Sequence, residues 1–504
     1  MSKDLMFLKS GTDIRGVALG VLKNEPETLT NDAVRKIAIG FGLWLSENTN
    51  KDFSMLSVAI GHDSRLSADR IKTILVETLS IMGIKVFDCG LSSTPAMFMA
   101  TIDLPCDASI EITASHHPFN KNGLKFFTKY GGLEGKDIEQ ILKYAMENDF
   151  LNNSSALTNI EKINYMSKYE KRLRDIICKE INAEDYEHPL KGFKIVVDAG
   201  NGAGGFYAEN VLKSLGADIT GSQFLEPDGR FPNHIPNPEN EAAMQYIIDS
   251  TIKNKADLGI IFDTDVDRVG AVASNGEPIN RNTLIAVASS IALEKNAGGT
   301  IVTDSITSDG LKEYIEKNLH GVHKRFKRGY KNVINEAKRL NEKGINCPLA
   351  IETSGHAAMR ENYFLDDGAY LVTKIIIKMV NMKLKGERFE SIIEDLKKPL
   401  ESQEYRLNVK CENFEDYGNK IIRDLADFAK NQKEWEIDSD NYEGIRVSSN
   451  KKDENGWFLL RLSVHDPVMP LNVESNIKDG KNKILKKLKL FLDKYEYLDL
   501  LTIK

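Results

Sequence analysis

The chain has 504 residues, 41% apolar and 28% charged, with 67 basic and 74 acidic side chains and a formal net charge of −7. That length exceeds one core and predicts three or four domains, while the mild acidity excludes a general binder of nucleic acid or anionic membrane. No apolar run reaches the ~20 residues of a membrane span, Met1-Ser2-Lys3-Asp4 lacks a signal-peptide core, and five scattered cysteines give neither a disulfide framework nor a zinc site, so a cytoplasmic enzyme is expected.

In chain order, a β-branched run at 56–60 leads into Gly61-His62-Asp63, and 69–82 has helical spacing. Ser109-Ile110-Glu111-Ile112 reads as a strand ending at Thr113-Ala114-Ser115-His116-His117-Pro118. Pro118 with Asn122-Gly123 reads as a loop, which exposes the Ser115 hydroxyl at a strand end. A polar linker at 151–155 precedes a charged helix at 165–181. Further strands at 195–197, 258–262 and 301–303 end in Asp198, Asp263 and Asp304, with helical stretches at 242–253, 282–293 and 368–380. Breaks fall at Asn296-Ala297-Gly298-Gly299, Lys385-Gly386-Glu387 and Pro399. In the tail, 484–497, Leu485, Leu488, Leu492 and Tyr495 form a packing face. The alternation predicts α/β domains with largely parallel sheets. Ligands of such sheets bind at the carboxyl ends of strands, where these acidic turns fall.

Four motifs carry chemistry. Ser115 is a candidate nucleophile, His116 can orient a phosphate or shuttle a proton, and Lys125 can neutralise charge or act as general acid/base. Asp263-Thr264-Asp265-Val266-Asp267-Arg268 places three carboxylates on one side of an extended strand end. Carboxylates that close repel unless a cation neutralises them, and an all-oxygen set suits Mg²⁺. Glu352-Thr353-Ser354-Gly355-His356 suits the hydroxyls of a sugar, although taken alone a polar turn is the commoner explanation. Glu443-Gly444-Ile445-Arg446 and Arg461-Leu462-Ser463-Val464-His465-Asp466-Pro467 suit a phosphate clamp, although a surface ion pair explains them equally well. Gly200-Asn201-Gly202-Ala203-Gly204-Gly205 fits the dinucleotide spacing, but Asp198 beside it and poorly placed acids downstream favour a tight strand-to-helix turn.

Taken in order, these motifs resemble the α-D-phosphohexomutases over nearly the whole chain. Ser10-Gly11-Thr12-Asp13-Ile14-Arg15-Gly16 is similar to the family's opening loop and Gly61-His62-Asp63-Ser64-Arg65 to its first strand end. TASHHP is similar to its phosphoserine loop, DTDVDR to its Mg²⁺ loop, and Gly329-Tyr330-Lys331 with ETSGH to its sugar-contacting elements.

The resemblance implies three related α/β domains with mixed, largely parallel sheets and a smaller C-terminal α+β domain around a central cleft. The expected boundaries are 1–153, 154–296, 297–397 and 398–504. It implies that Ser115 carries a phosphoryl group and that Ser115, Asp263, Asp265 and Asp267 bind Mg²⁺. Arg15, His116, Lys125 and Arg268 would surround the transferring group. Lys331, Glu352, Ser354 and His356 would hold the sugar, and Arg446, Arg461 and Ser463 the other phosphate, with His465 as a donor where the family has a threonine hydroxyl. The implied reaction interconverts hexose 1-phosphate and 6-phosphate of glucose or mannose through a hexose 1,6-bisphosphate. Val464 and His465 depart from the family's last loop, and Thr353 fits none of its usual substrate classes, so the sugar stays open. Phosphoglucosamine mutase, an NAD-dependent oxidoreductase on the Gly200 turn and a non-catalytic sugar-phosphate sensor are the alternatives. Hexose phosphates are the only partners expected, with no nucleic acid and no membrane, and oligomeric state is open.

Overall fold

Alternating β-branched strands and amphipathic helices build the N-terminal region of the computed structural model, which describes residues 4–148, 159–463 and 466–503. The linker expected at 151–155 lies outside the described residues. The chain divides into two compact units, Met1–Leu284 with Ser354–Ser391, and Ile285–Thr353 with Ile392–Lys504.

In the first unit a mixed sheet runs in the order Lys9–Ser10, Asp13–Val17, Lys121–Thr128, Ala108–Ile112, Ser57–His62, Lys85–Leu91, Ile160–Lys162. Ser57–His62 is parallel to both Ala108–Ile112 and Lys85–Leu91. Lys121–Thr128 is antiparallel to Ala108–Ile112 and to Asp13–Val17. This corrects the loop expected at Asn122-Gly123. The turn signal is overridden because Gly123, lacking a side chain, runs against the carbonyls of Ile14 and Thr113, where a Cβ would collide. Thr30 caps the helix Asn31–Thr49 by accepting the Ala33 N–H, and the helix buries Val34, Ile37, Phe41 and Leu45 in the first core.

A second sheet, Pro278–Ile279, Val269–Ala273, Leu258–Phe262, Ile195–Asp198, follows the helix Tyr165–Ile181, which lies where the charged helix was expected. The same unit includes the hairpin Ala357–Met359/Leu365–Asp366 and the helix Gly368–Leu384. Tyr169 donates to Asp367 at 2.7 Å and Tyr207 bonds Thr373 at 2.8 Å, which fixes this helix against its neighbours.

The second unit holds the parallel strands Val322–Phe326, Thr300–Asp304 and Leu349–Ile351. It also holds an antiparallel sheet, Glu401–Asn408, Val468–Ser475, Gly456–Leu460, Ile445–Ser449, Trp435–Ile437, covered by the helices Phe414–Lys430 and Gly480–Leu492. Leu485, Leu488, Leu492 and Tyr495 are buried as their spacing predicts, although the helix ends at Leu492. The segment expected as a third domain contributes to both units.

Candidate active site

Ser115 follows the fully buried strand Ala108–Ile112 and adopts φ 50°. Left-handed backbone is uncommon for a serine, and such strain concentrates at functional sites. Its N–H donates to Thr113 Oγ1 at 2.9 Å. Its Oγ donates to Asp263 Oδ2 at 3.0 Å and accepts from Arg268 Nη2 at 3.0 Å. Ser115 is 4% exposed, so the hydroxyl expected to be exposed at the strand end is instead covered by these partners.

The loop is held from beneath by a residue for which the sequence alone suggests no role. Buried Arg65 donates through Nη2 to the carbonyls of Ser115 (2.5 Å) and His117 (2.6 Å), and through Nη1 to those of Pro118 and Lys121 (both 2.8 Å). Asp63 braces it at 3.4 Å, and burial, only partly offset by Arg65, pushes the Asp63 carboxyl up to about 6. Arg65 ends the Gly61-His62-Asp63-Ser64-Arg65 motif, which was the available signal.

His116 is an exposed residue, but its Nδ1 accepts from Arg268 Nη2 at 2.7 Å. Burial of that edge, then the Arg268 charge, lower its pKa to about 2, so the ring is neutral. His117 stacks on it, with centroids 5.3 Å apart. Arg15 Nη1 donates to His117 Nε2 at 2.8 Å while its Nη2 donates to Asp13 at 2.8 Å.

The three carboxylates of the Asp263–Asp267 run converge because the segment curls, not because it is extended as the sequence suggested. It forms a tight loop between Leu258–Phe262 and Val269–Ala273, with Val266 at φ 68°. A β-branched residue resists that conformation, and full burial of Val266 offsets the strain. Ligand atoms of Asp263, Asp265 and Asp267 lie within 4.8 Å of one another. Lys125 Nζ donates to Asp265 Oδ2 at 2.7 Å and to Asp267 Oδ2. Thr94, at the start of the helix Thr94–Asp103, adds its hydroxyl to Asp265 Oδ2 at 2.5 Å. Burial, then Asp267 and Asp265, push the Asp263 carboxyl well up. Asp267 is as deeply buried, but Lys125, His356 and Arg268 hold it low. Asp265 Oδ1 and Asp267 Oδ1 are buried without a hydrogen-bond partner. Buried acceptors left so are costly, and two of them in a triad of hard oxygens fit a divalent cation.

Ser354 and His356 belong to this unit. An antiparallel bridge pairs His356 with Arg268. His356 Nδ1 lies 2.6 Å from Asp366 Oδ2 and 3.7 Å from Asp267 Oδ1. Burial depresses the imidazole, but Asp366 and Asp267 outweigh it and lift the pKa to about 9.

Lys331, Glu352, Arg446, Arg461 and Ser463 belong to the second unit. Glu352 Oε1 accepts the Gly329 N–H at 2.6 Å, and Lys331 lies half-buried in the first turn of the helix Tyr330–Glu342. Arg461 and Ser463 lie on the loop after Gly456–Leu460. Val464 and His465 lie outside the described residues. Arg446 departs from expectation. It is 1% exposed, stacked 3.6 Å over Trp457, and donates to the carbonyls of Ser305 (3.1 Å) and Thr307 (3.2 Å) and to Asp309 (2.9 Å). A guanidinium so engaged fastens Ile445–Ser449 to the turn after Thr300–Asp304 and is not placed as a phosphate clamp.

The Gly200 turn is closed to a dinucleotide. Asp198 already accepts from Gly200 N–H, Gln223 and His234 at 2.8–3.1 Å. A Cβ on Gly202 would lie 2.6 Å from the Thr264 carbonyl, so this glycine serves packing against the Asp263–Asp267 loop.

Residues 10–152, 169–276 and 280–399 match alpha/beta/alpha domains I, II and III of phosphoglucomutase/phosphomannomutase. The chain is 28% identical to a phosphomannomutase/phosphoglucomutase of Pseudomonas syringae, covering 85% of each chain. It is 30% identical to a phosphoglucosamine mutase of Campylobacter concisus, covering 75% of this chain and 81% of that one. A crystal structure of a phosphoglucomutase/phosphomannomutase family protein from Burkholderia thailandensis superposes with a TM-score of 0.77 at 25% identity, covering 97% of both chains.

Proposed function

We propose that this chain, which belongs to the phosphoglucomutase/phosphomannomutase family of α-D-phosphohexomutases, interconverts hexose 1-phosphates and 6-phosphates through a phosphate carried on Ser115. The observation that carries this reading is the Ser115 hydroxyl, 3.0 Å from both Asp263 Oδ2 and Arg268 Nη2 on a strained turn.

Phosphoserine 115 gives its phosphoryl group to the free 6-hydroxyl of a hexose 1-phosphate. The P–O bond to Ser115 Oγ breaks, a P–O bond to the sugar forms, and the hydroxyl proton passes to the departing serine oxygen. The product is a hexose 1,6-bisphosphate. In the opposite orientation, Ser115 Oγ attacks the 1-phosphate, the P–O bond to the C1 oxygen breaks, the serine proton passes to that oxygen, and hexose 6-phosphate is left.

Arg268 holds the reacting oxygen and Arg65 fixes the loop that carries it. Lys125 moves the proton, and Arg15 and neutral His116 flank the transferring group. Asp263, Asp265 and Asp267, with the phosphoserine, would hold Mg²⁺. When bound, it supplies charge stabilisation to the equatorial oxygens of the transferring phosphate. Glu352, Ser354, His356 and Lys331 are assigned to the sugar, and Arg461 and Ser463 to the non-reacting phosphate.

Glucose and mannose phosphates are the proposed substrates. The Campylobacter relative motivates glucosamine phosphate as a second reading of the same chemistry. The test is Mg²⁺-dependent conversion of glucose 1-phosphate, mannose 1-phosphate and glucosamine 1-phosphate with a trace of glucose 1,6-bisphosphate. Turnover ranks the sugars, and none on any of the three overturns the reading.

A further inference from the structure

The stretch 228–240 contains no helix or strand, yet it touches both arginines that set Ser115. At one end Arg65 lies 5.2 Å over the Phe231 ring. Gly229 beside it runs so close to the same segment that a Cβ would lie 2.5 Å from the Ser64 carbonyl. At the other end Asn237 Oδ1 accepts from Arg268 Nη1 at 3.3 Å.

Between these ends the stretch is pinned by buried His234. Its Nε2 lies 3.0 and 3.1 Å from the two oxygens of Asp198, and its Nδ1 lies 2.9 Å from the Ile235 carbonyl. The ring stacks on Tyr246 of the helix Glu241–Asn254 and meets Phe224 edge-on, with centroids 5.5 and 5.3 Å away. Phe224 and Phe231 both take left-handed backbone, at φ 51° and 50°. Bulky residues resist that conformation, and it persists where surrounding contacts over-determine the chain. Asn237 is fixed in turn, because its Oδ1 also accepts the Glu239 N–H at 3.0 Å in a local turn.

Arg268 divides its guanidinium among these neighbours. Nε and Nη2 face Asp263 Oδ2 at 3.1 and 3.0 Å, and Nη2 also reaches Ser115 Oγ and His116 Nδ1. Nη1 goes to Asn237. A guanidinium is a rigid planar fork, so holding one arm sets the direction of the other. Asp263 is also a proposed Mg²⁺ ligand. Among the described residues, Asn237 is the one side chain hydrogen-bonded to Arg268 that belongs neither to the carboxylate triad nor to the Ser115 loop.

We propose that Asn237 is a positioning residue for phosphoryl transfer, holding one arm of Arg268 so that the other stays on Ser115 Oγ. The proposal rests on the mutase reading above.

The test measures kcat, KM and melting temperature for wild type, Asn237→Ser, Asn237→Asp, Arg268→Lys and Asn237→Ser combined with Arg268→Lys. The substrate is whichever of the three sugar phosphates turns over fastest. Asn237→Ser keeps an acceptor for the Glu239 N–H but draws its oxygen back from Arg268. Loss of one hydrogen bond to a charged group predicts a kcat about tenfold below wild type, with KM and melting temperature nearly unchanged. Asn237→Asp retains an acceptor of the same reach and recovers most of that kcat. In the Arg268→Lys background, which has no second arm to hold, Asn237→Ser costs little more. Wild-type kcat in Asn237→Ser, or an equal loss in Asn237→Asp, would overturn the proposal. The same loss in the Arg268→Lys background would also overturn it, because Asn237 would then act without Arg268. Any of these results with an active wild type leaves the mutase reading standing, whereas a wild type inactive on all three sugars overturns both.

Discussion

Arg65 Nη2 donates to the carbonyl of Ser115 at 2.5 Å and to that of His117 at 2.6 Å, so one buried guanidinium sets the path of the loop that presents the nucleophile. Arg65→Ala removes all four of its carbonyl contacts and leaves Asp63 buried beside a cavity. We expect kcat to fall about 100-fold, as for a misplaced reacting group, while the Asp263, Asp265 and Asp267 cluster still binds Mg²⁺ in calorimetry. Wild-type kcat in this variant would remove Arg65 from the account.

Lys125 bonds Asp265 and Asp267 while both are buried. Lys125→Met leaves these carboxylates short of positive charge. Breaking such a buried pair costs about 3–5 kcal/mol, so the metal-free variant should melt well below wild type. Saturating Mg²⁺ should recover more stability in the variant than in wild type, measured by differential scanning calorimetry. Equal Mg²⁺ shifts in the two proteins would contradict the assignment of these oxygens to the cation.

The buried Arg446 predicts a structural variant. Arg446→Met removes bonds to Ser305, Thr307 and Asp309 and the stacking on Trp457. We expect a loss of about 3 kcal/mol with KM for hexose phosphate within about threefold of wild type, a shift of under 1 kcal/mol. A large KM change with an unaltered melting temperature would return Arg446 to the substrate.

Glu474 accepts from Trp457 Nε1 at 2.9 Å and from Ser402 at 3.2 Å, and burial pushes its carboxyl from 4.5 up to about 7. Below pH 4.5 the folded and unfolded chains both hold this proton. Between 4.5 and 7 only the folded chain holds it, so the contribution is lost as pH rises through that window, to about 3 kcal/mol. Glu474→Gln should remove this slope and gain stability relative to wild type between pH 5 and 8. Parallel denaturation profiles across that range would show an unperturbed carboxyl.

Much of this was legible in the sequence because the signals were local. The helix Tyr165–Ile181 and the strand Leu258–Phe262 lie where periodicity places them, and Ser115 and the three aspartates meet as their motifs suggest. What was hidden depends on contacts distant in sequence. Asn122-Gly123 carries a turn signal, yet Lys121–Thr128 is a strand because two neighbouring strands pair with it. Arg65 reaches carbonyls about fifty residues away, and its Gly61–Arg65 motif marks a strand end without revealing which loop the guanidinium holds. Arg446 looked like a phosphate ligand because an arginine beside a turn reads the same whether it faces solvent or Trp457.

The most direct measurement is mass spectrometry of the protein after incubation with glucose 1,6-bisphosphate and Mg²⁺, in wild type and Ser115→Ala. The account predicts one phosphate on Ser115 in wild type, none in the variant, and loss of mutase turnover with it. Turnover by Ser115→Ala at the wild-type rate, or phosphate on another residue, would contradict it.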